Sequence, residues 1–409
     1  TAFGRENVYV ELTRHHLRGD ERLNRLLIDL ARHLRLPLIA SNAPLHATRA
    51  GRMLADAFTC LRHHATLDKA GTLLAANGER HLKSPREMAA LFADLPEALT
   101  NTRRVAERCG FGLENLGYRF PDWHDETGRP LSIPEQTTLL RRHTYAGATT
   151  RYGAITPAIR TQIEHEIALI HRLGFSGYFL IVHDLVLFAR GRGILCQGRG
   201  SAANSAVCYA LGLTHVDPIG GGLLFERFLS ENRRSWPDID IDFPSGPHRE
   251  EVIQYVFRKY GQRGAAMTAN VITYQPKSAF REMSKGLGLP ESLADRFSQT
   301  RTLPWKEDEQ SPLRMLYEAV LGLPRHLGQH SGGMIICDAG LDRIVPLQAA
   351  AMPGRNIVQW DKEDCEDLGI VKVDLLGLGM LAAMETTLEL CTKHGRPVDL
   401  AQIPKDDPA

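Results

Sequence analysis

The 409-residue sequence has no Cys-x-x-Cys pair, no long apolar run and no real surplus of either charge. Its seven cysteines (60, 109, 196, 208, 337, 365 and 391) are odd in number and scattered, which argues against a disulfide framework and a cysteine zinc site. A reducing cytoplasm is the expected setting. No stretch approaches the roughly 18 to 20 apolar residues of a membrane span, and no charged-then-apolar signal segment opens the chain, so no membrane partner is expected. Forty-nine Lys and Arg against 48 Asp and Glu give a formal charge of +1, so any nucleic-acid partner must be held by local basic patches. Internal repeats, low-complexity tracts, Walker A and G-x-G-x-x-G are also missing. The length is several times one ordinary core, so two or three domains are expected. The chain opens at Thr1 rather than Met and ends in "IPKDDPA", which reads as a piece of something longer.

What is present is organised in two blocks. "NVYVEL" (7–12) reads as a strand, 20–35 as a helix with leucines at 23, 26, 27, 30 and 34, and "LPLIASN" as a second strand, the β-α-β rhythm of an α/β domain. From Ser84 to about Arg108 the pattern is helical, with Ser84-Pro85 as a start and Cys109-Gly110 as a stop. Residues 117–136, rich in Pro, Gly and charge, read as a connection. In the second block Ile159, Ile163, Ile167 and Ile170 fall at helical spacing, and "GYFLIVHDLVLFAR" reads as a buried helix. "GILCQGRGSAANSAVCYALGL" reads as strand, glycine loop, helix, and "REEVIQYVFRKYG" as an amphipathic helix. Residues 276–327 are helical in pattern, broken at Pro290, Pro304, Pro312 and Pro324, and short strands return at "GMIICD", "NIVQWD" and "GIVKVD".

Three features carry chemistry. In "SWPDIDIDFPSG", Asp238, Asp240 and Asp242 alternate with Ile239, Ile241 and Phe243, so on a strand three carboxylates share one face and the apolar residues the other. Like charges at this spacing repel, which suits either cations held among them or a solvated edge strand. A calcium loop is disfavoured because it needs a Gly-turned loop, whereas two strand carboxylates can bridge a pair of Mg²⁺ ions about 4 Å apart. "QGRGSAANS" (197–205) places Gly198 and Gly200 where backbone can approach an anion, with Ser201 able to cap the following helix; the bland alternative is a tight turn. In "GIVKVDLLGLG", Lys372 and Asp374 share a strand face opposite Val371 and Val373, either as a buried ion pair or as part of a metal and phosphate site.

Together the stretches "GRGSAANSAVCYALGLTHVDPI", "LLFERFLSENRRSWPDIDIDF", "QHSGGMIIC" and "QWDKEDCEDLGIVKVDLLGLGML" closely resemble the palm of bacterial family C DNA polymerases, the DNA polymerase III alpha family, and the resemblance covers nearly the whole chain. It implies an α/β and α+β multidomain fold: part of a polymerase and histidinol phosphatase (PHP) barrel-like domain over 1–110, a connection over 111–150, a polymerase-β-like nucleotidyltransferase palm over 151–275 and 326–390, an inserted helical thumb over 276–325, and the start of the fingers over 391–409. It further implies that Asp238, Asp240 and Asp374 hold two catalytic Mg²⁺ ions, with Asp242 in support. Arg199, Gly200, Ser201, Arg227 and Lys372 would contact the phosphates of the incoming nucleotide. The implied partners are primer-template DNA and deoxynucleoside triphosphates, with a sliding clamp and repair accessory proteins engaged by regions beyond residue 409. "WPDIDIDFPSG", "ITYQPKSAFREM" and the short thumb resemble the error-prone, translesion branch.

In the PHP-like part, "YVELTRH" keeps Glu11 and His15 of the family's metal-binding pattern, but in "SNAPLH" Ala43 and Leu45 stand where Asp and His would, with His46 one place out of register. Neither Ala nor Leu binds metal, so His15, His16, His63 and His64 read as surface or packing residues. A PHP-type phosphoesterase and a non-catalytic scaffold of a repair complex are the alternative functions.

Overall fold

The computed structural model describes residues 4–114, 116–231, 236–306, 310–338 and 340–398, and the chain divides into two compact units. Residues 1–112 and 272–326 form the first. Strands β1 (Val10–Leu12) and β2 (Leu38–Ala40) pair in parallel, joined through the helix Asp20–Leu34. Leu12, Ala40, Phe92 and Ala98 close their core. The helical stretch expected from Ser84 to Arg108 is two helices, Pro85–Leu91 and Pro96–Arg108, because Leu95 leaves the helical region and Pro96 starts a new helix at its first turn. The helices Pro276–Gly286, Glu291–Thr300 and Pro312–Val320 bury Phe280, Phe297, Leu316 and Val320 together with Ala57 and Phe58 of the helix Arg52–Arg62. Residues 276–325, expected as an inserted helical thumb, thus share this core with the helix Arg52–Arg62.

Residues 113–271 and 327–409 form the second unit. Strands β3 (Gln197–Arg199), β4 (Asp240–Pro244), β5 (Ala265–Thr273), β6 (Pro324–Ile336), β7 (Leu347–Ala349), β8 (Asn356–Val358) and β9 (Lys372–Leu378) make a mixed sheet in the order β3-β4-β9-β6-β5-β8-β7. β4 and β9 are parallel, with Asp240 beside Asp374. β3 runs antiparallel on the other edge of β4, with Arg199 beside Asp240, and β6 runs antiparallel to β9. The two-residue period then decides the layers. Ile239, Ile241 and Phe243 with Val371, Val373 and Leu375 enter a core shared with Val252, Ile253 and Val256 of the helix Pro247–Tyr260. The aspartates are left on the opposite face.

The connection expected over 111–150 ends in structure: Ile133–Tyr152 is a helix, opened by a capping box between Ser132 and Glu135, and its Leu140 and Ala148 join the core of this unit. The helices Pro157–Arg172 and Ser176–Gly191 complete the same core. Among the described residues no single helix is long and apolar enough to cross a membrane. The fingers expected from residue 391 lie outside the described residues from 399 onward.

Candidate active site

Asp238 precedes β4, Asp240 opens it, and Asp374 is the third residue of β9. Register does the rest: pairing Asp240 with Asp374 brings one carboxylate oxygen of each of the three aspartates within 4.8 Å of the others. Among the described residues no other group of three His, Cys, Asp or Glu converges in this way. Exposure falls along the trio, from exposed Asp238 through half-buried Asp240 to buried Asp374. Burial, followed by the charges of Asp238 and Asp374, lifts the Asp240 carboxyl to about 6. Lys372 Nζ donates to Asp238 Oδ1 at 3.1 Å and to Asp374 Oδ2. Burial works against its charge, but Asp374 and Asp238 outweigh that and raise its pKa. Asp374 Oδ1 is buried with no hydrogen-bond donor among the described residues. Three convergent carboxylates with one unsatisfied buried oxygen make a donor set suited to a hard divalent cation, and the lysine ammonium competes for the same oxygens.

Arg199 sits at the edge of this strip, its Nε 3.8 Å from Asp240 Oδ2 and 3.6 Å from Asp242 Oδ1. Asp242 is buried, which raises its pKa, and it lies outside the converging trio. The glycine loop differs from expectation. No helix starts at Ser201: a 3₁₀ turn, Gly200–Asn204, leads into a five-residue helix, Ala206–Ala210. Ser205, not Ser201, caps that helix, accepting from the Cys208 N–H at 3.0 Å. Its first free amides, those of Ala206 and Val207, donate to Glu166 at 2.9 and 3.0 Å, so this helix N-terminus is already satisfied by an internal carboxylate. Gly198 serves backbone packing, since a Cβ there would stand 2.5 Å from the Leu213 carbonyl oxygen. Gly200 is exposed, and Ser201 is half-buried beside it. Arg227 is exposed on the turn Phe225–Arg227, which packs against the turn Gly200–Asn204. No ion pair joins it to the trio among the described residues.

In the first unit, His15 is buried and its Nε2 donates to the Asn42 carbonyl at 2.9 Å, while His16, His63 and His64 are exposed. His46 Nδ1 donates to the Thr48 carbonyl at 2.7 Å.

Two supporting residues escaped the sequence reading. Glu166, fully buried, also accepts from Ser205 Oγ at 2.7 Å and Gln162 Nε2 at 2.9 Å. It stands three residues after Ile163 and four before Ile170, so its position on the apolar stripe was the available signal. Tyr178 accepts the Ile239 N–H at 3.2 Å, fixing the chain between Asp238 and Asp240.

Residues 138–377, more than half the chain, match the family described as bacterial DNA polymerase III alpha NTPase domain. Proteins named error-prone DNA polymerase are similar over the full chain: those of Mycolicibacterium paratuberculosis and Nocardia farcinica are each 44% identical over 421 residues, covering 100% of this chain and 38% and 36% of the relatives. That of Bordetella parapertussis is 42% identical over 416 residues, covering 97% of this chain and 38% of the relative. The chain thus spans less than two fifths of the length of these relatives. Asp238, Asp240 and Asp374 all fall inside the matched segment, and the chain belongs to the bacterial DNA polymerase III alpha family, in the company of its error-prone members.

Proposed function

We propose that this chain carries the nucleotidyl-transfer site of a template-directed, error-prone DNA polymerase working in damage repair and translesion synthesis. The observation that carries the reading is the convergence of Asp238, Asp240 and Asp374 from two paired strands, with the unsatisfied Asp374 Oδ1 among them. On this reading the sheet of the second unit is the palm, residues 276–325 the thumb and the first 110 residues a PHP remnant. The three carboxylates would hold a pair of Mg²⁺ ions, which when bound supply charge neutralisation and an acidified primer hydroxyl.

The chain's own groups do the remaining work. Lys372, tied to Asp238 and Asp374, is placed to neutralise negative charge on the nucleotide phosphates. Arg199, leaning on Asp240 and Asp242, offers a second cation at the edge of the strip, and Gly200 and Ser201 follow it in the direction of Asp238. Phosphates must be met by side chains and turn amides, since Glu166 takes the amides of the next helix.

The test is manganese titration of the chain with Asp240→Asn and Asp374→Asn, joined to primer extension by a polypeptide of the relatives' length. We expect the site to weaken at least tenfold in either variant and extension to fall by three orders of magnitude or more. Unchanged manganese affinity in both folded variants sinks the reading.

A further inference from the structure

The helices Ile133–Tyr152 and Ser176–Gly191 each carry an arginine in the last turn, and both side chains come to one loop, residues 212–215. Arg151 Nη1 donates to the Thr214 carbonyl at 3.0 Å, and its guanidinium lies 4.5 Å from the centre of the Tyr209 ring. Arg190 Nη2 donates to the Gly212 carbonyl, and the same side chain reaches the Cys196 sulfur. Gly212 is left-handed, with φ 76°, and a Cβ there would collide with the Arg190 guanidinium, so the loop is shaped to its arginines. Neither arginine has an acidic partner among the described residues. The nearby carboxylates are taken: Asp217 accepts from Tyr152 Oη at 2.9 Å and the Ile219 N–H at 3.0 Å, and Asp184 from Lys259 Nζ at 2.7 Å and Tyr255 Oη at 2.8 Å. Positive charge is therefore in excess. Burial, then the charge of Arg190, lowers the pKa of Arg151. His215 keeps an edge open to solvent, yet burial of the rest of its ring, then Arg151 and Arg190, lower its pKa to about 4. Burial, His143 and Arg190 lower that of His183 to about 4, and burial with Arg142 lowers that of His143. One arginine at a helix C-terminus is ordinary, because the dipole favours a cation there. Two that meet on carbonyls without a carboxylate favour an anion between them.

We propose that Arg151, Arg190 and His215 bind a phosphate dianion, the terminal group of a free mononucleotide or of a 5′-phosphorylated DNA end, at a place separate from the carboxylate trio. The separation follows from the sheet. Gln197 and Arg199 pair with Asp242 and Asp240 and share their face, while Cys196, which Arg190 touches, lies in the core on the other face. None of the three residues lines the cavities that hold Asp238 or Arg199. A terminal phosphate suits the site better than a diester within a strand, because two guanidinium forks and an imidazole match three free oxygens and about two negative charges. The anion would also reverse the electrostatics of His215, favouring its imidazolium form. The proposal needs neither a metal nor the polymerase reading above.

The first measurement uses the unaltered chain without divalent metal. Histidine NMR, with the His215 signal assigned through His215→Gln, follows the imidazole against pH with and without inorganic phosphate. Phosphate should move the His215 midpoint from about 4 to above about 5. Calorimetric titration of inorganic phosphate then compares variants, with circular dichroism as the folding control. Arg190 is exposed, so Arg190→Gln should fold and weaken phosphate about tenfold, while Lys372→Gln should leave it unchanged. An unmoved His215 midpoint, or a loss that falls on Lys372→Gln instead of Arg190→Gln, overturns the proposal. If Arg190→Gln fails to fold, the His215 midpoint decides. Competition identifies the source of the phosphate. Deoxyadenosine monophosphate and a 5′-phosphorylated oligonucleotide should both displace inorganic phosphate from His215, and the one that does so at the lower concentration names the ligand. Equal displacement by the same oligonucleotide with a 5′-hydroxyl would mean that diesters suffice, and would overturn the assignment to a terminal phosphate.

Discussion

Asp240 is where proton and cation compete. Its carboxyl is lifted to about 6 by burial and by two neighbouring carboxylates, and a divalent ion can bind only by displacing that proton. Manganese affinity should therefore fall by up to tenfold per unit as pH drops below about 6 and level off above it, measured by titration from pH 5 to 8. A flat profile would place the cation elsewhere. Without added cation the sign for stability is the reverse of the usual carboxylate: a raised folded-state pKa favours the folded protein as pH falls through about 6 toward the ordinary aspartate range. Burial raises the pKa of Glu166 as well, but this carboxyl has every donor in place. Removing it in Glu166→Ala strands two backbone amides, at about 1 to 3 kcal/mol each. Chemical denaturation should find Glu166→Gln distinctly less harmful, because its amide oxygen still accepts.

At the scale of single elements, alternation made β4 and β9 legible before any fold was known, since Ile239, Ile241 and Phe243 cannot share a face with Asp238, Asp240 and Asp242. The helix Ile133–Tyr152 was hidden for an equally physical reason. Its buried face is built of Gln136, Thr137 and Thr144 beside Leu140 and Ala148, so apolar periodicity is broken. The hydroxyls satisfy themselves, Thr137 on the Ile133 carbonyl and Thr144 on the Leu140 carbonyl, each at 2.8 Å, which lets polar residues pack as core. Strand, glycine loop and helix come in the expected order, but the cap is Ser205 rather than Ser201, because the three compress into three, five and five residues, too short for periodicity to fix the boundary. The partnership of 276–320 with the helix Arg52–Arg62 is a contact between distant sequence segments, invisible to local pattern. It has a consequence for stability: Phe280→Ala should cost about 3 to 5 kcal/mol. Hydrogen exchange should rise in Arg52–Arg62 as well as in Pro312–Val320, whereas a response confined to 276–320 would deny the shared core.

For the molecule as a whole, a formal charge of +1 leaves attraction of any polyanion to the arrangement of charge rather than its amount. The parallel pairing of β4 with β9 also sets an order of events in time. Asp238 and Lys372 are 134 residues apart in the chain, and closing a loop of that length costs on the order of 4 kcal/mol of chain entropy before any contact rewards it. A ribosome delivers the first two carboxylates long before the third, so a nascent or truncated chain ending ahead of β9 has half a cation site and no means to close it. Divalent binding is then a readout of completed folding. A cation that grips Asp240 and Asp374 together acts as a reversible staple across that loop, and thermal unfolding should shift upward with manganese in the native chain but not in Asp374→Asn.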